Sequence, residues 1–226
     1  MPDEEEVYAL DDVMSNFDLV LKAFGLTIQL LVFSGIASLV LGTVLGAMRV
    51  GPVSVLAKFA AIYVTVVRNT PLLMVFVFVF VAAPTLGWFV DTPFVVKGVI
   101  ALTAYTSAFV CEAVRSGVNS VSLGQAEASR AIGLTFSQSM QLVVLPQAFR
   151  AVVPPLASVL IALAKNTSVA AAFGLMEATA RMRYFTNNNA DARPEIFLIF
   201  AIGYIIIVEV MSAGAITLER RWRVAR

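Results

Sequence analysis

Histidine is absent from this chain of 226 residues, and cysteine occurs once, at Cys111. The first absence excludes imidazole acid–base chemistry and histidine ligation of a metal. The second excludes an intrachain disulfide and argues against a cysteine metal site. Charge is also scarce: 14% of residues are Asp, Glu, Lys or Arg, against about 25% in an average soluble domain. The formal net charge of +1 gives no reason to expect nucleic acid or another polyanion as partner. No Gly-x-x-x-x-Gly-Lys run occurs, so any ATP is hydrolysed elsewhere. No nucleophile and base converge in the sequence, and we expect no enzyme activity, metal or cofactor in this chain.

Apolar residues fill the space left by charge. They make up 59% of the chain, and the mean hydropathy is +0.87, so lipid is the medium that solvates most of it. A crossing needs ~20 apolar residues, and such runs occupy residues 19–48, 70–90, 94–114, 154–176 and 196–218. The expected fold is all-α, a polytopic membrane protein with about five transmembrane helices. Residues 1–18 form an acidic N-terminus (Asp3, Glu4, Glu5, Glu6), 19–218 the membrane domain, and 219–226 a basic tail. The first apolar run is too long for a signal-peptide core, so no cleavage is expected. Residues 53–67 are apolar enough to lie at the interface or to extend the second span. Gly25, Gly35, Gly42 and Gly46 in the first span predict close packing on a neighbouring helix.

An odd number of crossings puts the termini on opposite sides. With the C-terminus inside, ten Lys/Arg are cytoplasmic (Arg49, Lys58, Arg68, Arg115, Arg130, Arg150 and four in the tail), against five outside (Lys22, Lys97, Arg181, Arg183, Arg193). The positive-inside rule therefore predicts N-terminus out and C-terminus in. Trp88 and Trp222 fall near the predicted interfaces, and Lys97 is placed to snorkel at the end of the third span.

The cytoplasmic connection of residues 115–150 is too patterned to be a plain linker. Ser122 with Gln125, and Thr135 with Gln138, have capping-box spacing. Two short helices follow, the first stopped by Gly133 and the second by Pro146, before a fourth span that starts near Pro154 and Pro155. Phe136, Met140, Val143 and Val144 make one apolar face on the second helix. A DNA-binding helix-turn-helix has similar small-residue spacing, but the would-be recognition helix 136–144 has no basic residue to hold phosphate or read guanine.

The run Glu127-Ala128-Ser129, then Gly133, then Leu145-Pro146, resembles the EAA loop of permease subunits in ATP-binding-cassette importers, with Ser129 where Ala is usual. Arg68-Asn69-Thr70-Pro71-Leu72, Gly124-Gln125-Ala126-Glu127-Ala128, the LPQAFR run ending at Arg150, and Lys165-Asn166-Thr167-Ser168 are similar to the polar amino acid branch of those permeases, closest in wording to glutamate importers. The resemblance covers the first span to the end of the fourth.

It implies a type I importer permease fold in a bacterial inner membrane, with a second permease chain, identical or related, completing the path. An extracytoplasmic amino acid binding protein would deliver substrate. A pair of ATPase subunits carrying ATP and magnesium would dock on Gly124, Gln125, Glu127, Ala128, Ser129, Gly133, Leu145 and Pro146. The alternative is a self-contained secondary transporter or channel, but no internal repeat is visible and five spans do not halve.

Charges within the spans need a partner or a role, because each costs at least ~2.5–3.5 kcal/mol. Lys165, ~15 Å from the Pro154–Pro155 pair at 1.5 Å per residue, could bind a substrate carboxylate. It could equally pair with Glu112 or sit against backbone carbonyls at a helix break. Asn166, Thr167 and Ser168 offer neutral partners to an amino acid, or polar contacts between helices. Arg68, beside Asn69 and Thr70, could join Glu112 in an inner gate or act as an interfacial anchor. Glu112 could also clasp Arg115 three residues on. Glu209 has no evident partner and faces either a cavity or a second subunit. The outer segment 177–195, with Arg181, Arg183, Tyr184 and the Asn187–Asn189 run, is either a binding-protein contact or a solvated loop.

Overall fold

Long apolar runs in lipid have one way to satisfy their backbone, which is to bond every N–H and C=O within a helix. The computed structural model describes residues 13–222, and among these every regular element is helical. The acidic residues 3–6, Arg223 and the side chain of Trp222 lie outside the described residues. The helices are α1 (Phe17–Val50), α2 (Ser54–Arg68), α3 (Leu72–Thr85), α4 (Phe94–Asn119), α5 (Leu123–Ala131), α6 (Phe136–Phe173), α7 (Ala178–Asn188) and α8 (Arg193–Trp222).

Four of them, α1, α4, α6 and α8, are long and apolar enough to cross a membrane. A fifth crossing requires α2 and α3 to be taken together as one broken span. The uncharged run 70–90 thus does not hold one full-length helix. Pro71 has no N–H to donate and disfavours helical geometry at Thr70, so the chain breaks there. What remains, α3, is about 21 Å long at 1.5 Å per residue, short of the ~30 Å hydrocarbon core.

Proline shapes two helices in the same way. A five-residue π turn at Phe78–Ala82 leads into Ala83-Pro84, and another at Met140–Val144 leads into Leu145-Pro146. In each, a widened turn lies where the proline ring would otherwise clash with a carbonyl four residues back. The second case corrects a sequence expectation: Pro146 does not end the short helix. Helix runs on from Phe136, and Pro154 and Pro155 lie inside it.

Contacts divide the chain into two compact units. The first comprises the segment ending at Gly35, Leu72–Leu102 and Ala162–Val210. Its core joins the start of α1 to α7 and α8 through Val20, Ala178, Phe185, Ile196 and Phe200, with Phe24 stacked on Phe200 at 5.8 Å. A second aromatic group, Phe76, Phe80, Phe94 and Phe173, ties α3, α4 and the end of α6 together at 5.1–5.8 Å. Lys97 is buried with its ammonium 5.6 Å from the Phe94 ring centre. It does not snorkel outward.

The second unit comprises Ile36–Pro71, Thr103–Ile161 and the segment from Met211. Its core is Leu45, Ala60, Val64, Ala108 and Cys111. Here the glycine face does what it was expected to do. A methyl group on Gly42 would stand 2.7 Å from the Ser107 carbonyl, and one on Gly46 2.8 Å from Val114. Gly42 meets Val110 as Gly46 meets Val114, so numbers rise together and α1 runs parallel to α4, as a first and a third crossing must. Gly25 has open space beside it and takes no part.

Candidate functional site

The connection after α4 is built from its caps. Helix α5 starts after Ser122, whose backbone is extended as an N-cap should be but whose hydroxyl makes no cap bond. The expected box with Gln125 is not formed, because the Gln125 amide oxygen accepts from Gln147 on α6 instead. At Thr135 the box is complete: the hydroxyl accepts from Gln138 N–H at 3.3 Å, and the Gln138 side chain accepts from Thr135 N–H at 2.9 Å. Gly133 has φ +89°. Leu134 N–H reaches Ser129 O at 3.1 Å and Gly133 N–H reaches Arg130 O at 2.9 Å. This is the six-to-one and five-to-two pattern that closes a helix through a left-handed residue.

Ser129 does more than replace a small residue. Its buried hydroxyl lies 2.8 Å from Ser139 Oγ and 2.7 Å from Ala126 O, so it bonds the two arms of the turn. Around this pin, Gly124, Gln125, Glu127 and Ala128 face outward. Apolar side chains do too: Leu123 and Ile132 are each 80% exposed, Leu142 67% and Phe136 61%. Of the face expected on the second helix, Val144 is buried while Phe136 is left outside. Leu145 and Pro146 line a cavity of about 620 Å³ with Val114, Phe149, Arg150 and Val152.

At the end of α4, Glu112 collects three arginines. Arg49 of α1 bonds Oε1, Arg68 of α2 stands 3.6 Å from the same oxygen, and Arg115 holds Oε2 at 3.1–3.2 Å. Of the partners named for Glu112, Arg68 and Arg115 are present together. Arg49 was missed, although the glycine register that packs α1 on α4 brings its end to this level. Arg68 also lies 5.5 Å from the Phe109 ring centre. Asn69 caps α2 with its backbone N–H on Thr65 O at 3.3 Å, and Thr70 Oγ1 donates to Val66 O at 2.8 Å. These two serve the helix end.

Lys165 ends the α-helical part of α6, where the backbone tightens into a 3₁₀ run at Thr167–Phe173. Glu112 is committed to arginines, and Lys165 forms no ion pair among the described residues. Thr167 is fully buried and its hydroxyl donates to Ala164 O at 2.7 Å, as Ser168 does to Lys165 O at 2.7 Å. The Thr167 hydroxyl thus bonds its own helix at the break. Asn166 is half-buried beside it. Lys165 instead shares a cavity of about 440 Å³ with Ser168, Tyr204, Ile205, Val208 and Glu209.

The segment expected outside holds a helix, α7, and is no plain loop. Glu177 begins it as N-cap, fully buried, accepting from Ala180 N–H at 3.0 Å, Tyr204 O–H at 2.8 Å and Thr27 O–H at 3.4 Å. Burial pushes its carboxyl above the ordinary value, and the hydrogen bonds pull only partly against that. Glutamate is not among the usual N-cap residues, so little in the sequence signalled the cap at Glu177. Nothing in the sequence pointed to Tyr204.

This arrangement has relatives. Residues 38–224 match the family described as the binding-protein-dependent transport system inner membrane component. The glutamate transport system permease protein GluC of Corynebacterium efficiens is 43% identical over 206 residues, 86% of this chain and 90% of that one. The glutamate/aspartate import permease protein GltJ of Escherichia coli K12 is 30% identical over 213 residues, 89% and 86% of the two chains. Among solved structures, the chain in the crystal structure of an amino acid ABC transporter with histidines superposes with a TM-score of 0.85 at 25% identity, covering 93% of this chain and 97% of that one. The MetNI methionine ABC transporter, at a TM-score of 0.73 and 19% identity over 93% and 99% of the chains, agrees in fold. The chain belongs to the binding-protein-dependent transport system inner membrane component family and is a multi-pass membrane permease of the ATP-binding-cassette importers, related to those for glutamate.

Proposed function

We propose that this chain walls the path of a polar amino acid, glutamate or a close relative, and couples that path to a separate ATPase through the turn formed by α5 and the start of α6. The observation that carries the reading is the outward apolar set Leu123, Ile132, Phe136 and Leu142 around the Ser129–Ser139 pin. Leu123 and Ile132 lie outside the long spans, where water would cover them. Burying an apolar side chain is worth about 1.5–3 kcal/mol, so four supply roughly 6–12 kcal/mol before the costs of association.

In this reading the ATPase pair carries the ATP and magnesium and grips Gly124–Ala128, the turn at Gly133 and the neighbourhood of Leu145-Pro146. The turn then passes nucleotide-driven closure to α6 as a shift in population. The coupling turn and C-terminus are cytoplasmic, and the N-terminus and α7 are outside, where a binding protein delivers substrate. A second permease chain, identical or related, closes the path, and Lys165 contributes positive charge to it. The relatives named for glutamate motivate the choice of substrate. Replacing Leu123 and Ile132 by Asp tests the coupling. The double variant is expected to insert in the membrane at wild-type level but to lose co-purification with the ATPase; retained co-purification would refute the docking surface.

A further inference from the structure

Glu209 lies near the middle of α8, about 24 Å along the helix from Arg193 and about 20 Å from Trp222 at 1.5 Å per residue. A carboxylate at that depth is costly in lipid, so it must face protein or water. The cavity of about 440 Å³ supplies that surrounding, with Lys165 on α6 and Glu209 on α8 both lining it. Both residues are exposed, and among the described residues they form no ion pair, so neither charge cancels the other. Ser168, Tyr204, Ile205 and Val208 complete the wall. The size falls within the ~300–1,000 Å³ usual for small-ligand pockets.

Tyr204 is held in place by a network that does not touch the cavity charges. Its hydroxyl donates to the buried Glu177 at 2.8 Å and lies 3.0 Å from Thr179 Oγ1. Thr27 fixes the other side of Glu177 and accepts from Ala178 N–H at 3.1 Å. One wall is therefore preorganised from the helix cap outward, while the charged ends stay open.

We infer that Glu209 binds the α-ammonium of the transported molecule while Lys165 takes a carboxylate, so the cavity selects zwitterionic α-amino acids over simple acids. This rests on the reading of the chain as an amino acid importer and adds the residue that reads the ammonium. The assignment does not depend on which side chain the amino acid carries.

The test uses the assembled permease–ATPase complex in nanodiscs, without a binding protein, and measures displacement of tritiated L-glutamate by unlabelled L-glutamate and by glutarate, which lacks the ammonium. Wild type is expected to prefer glutamate by about 10- to 100-fold, the worth of one charge-assisted hydrogen bond. In Glu209→Gln that preference should collapse to within about threefold, with Glu209→Asp restoring part of it. Lys165→Gln should weaken both ligands alike. Size-exclusion chromatography of each variant reports assembly. An unchanged preference in Glu209→Gln overturns the inference. So does loss of the second permease chain in Glu209→Gln, which would make the residue an intersubunit contact. A wild-type complex that binds neither probe would instead sink the amino acid reading itself.

Discussion

Replacing Glu112 by Gln removes one charge and strands three. The Glu112 side chain is 22% exposed and that of Arg49 18%, whereas Arg68 and Arg115 are 44% and 39% exposed. Breaking a buried pair by deleting one partner costs about 3–5 kcal/mol, because the remaining charge is left uncompensated. That figure applies to Arg49 alone, at its lower end because the pair is only partly buried. Arg68 and Arg115 are wet enough that each pair is worth roughly 0–1 kcal/mol. The sum is about 3–5 kcal/mol. At roughly 2–4 °C per kcal/mol for a chain of this size, Glu112→Gln should lower Tm by about 6–20 °C in nanodiscs, followed by circular dichroism. Arg115→Ala should lower it by no more than about 4 °C, and Arg49→Met combined with Glu112→Met should recover part of the single-variant loss. If Glu112→Gln and Arg115→Ala shift Tm equally, the claim that Arg49 is the dominant partner is wrong.

Three further outcomes follow from packing and protonation. Gly42→Val places methyl groups against Val110 and the Ser107 carbonyl and should cost at least about 1–3 kcal/mol by overpacking, whereas Gly25→Ala, inside the helix with open space beside it, should raise Tm by about 1–4 °C because alanine is the better helix former by about 0.5–1 kcal/mol. Ser129→Ala loses the bond to Ser139, worth about 1 kcal/mol, so uptake should fall severalfold while ATPase co-purification persists. Burial raises the Glu177 carboxyl above its ordinary value of 4.5, so folding favours the protonated form. Stability from this group is full below about pH 4.5 and is lost as pH rises through the higher folded value. Glu177→Gln should flatten that stretch of the Tm–pH profile, and an unchanged slope would refute the assignment.

The apolar runs made the four long helices legible, because lipid leaves a ~20-residue apolar segment little choice of structure. Gly133, Thr135 and Gln138 were legible for the same kind of reason, since a left-handed residue and a reciprocal cap are local chemistry. What escaped depended on distant partners. Ser122 has the right residue and spacing, yet Gln125 turns to Gln147 across the fold. Pro146 reads as a stop, but a π turn absorbs it. Arg49, Tyr204 and the grouping of Lys165 with Glu209 required knowing which helices meet, and no spacing along the chain encodes that.

In the proposed function, transport through this chain is driven by an ATPase docked on the turn around Ser129. Proteoliposomes holding the permease pair and its ATPase, with binding protein outside and ATP inside, give the direct measurement. Labelled glutamate should accumulate only with hydrolysable ATP and magnesium, and the Leu123→Asp, Ile132→Asp double variant should abolish accumulation. Accumulation that follows an imposed ion gradient without ATP would contradict the account.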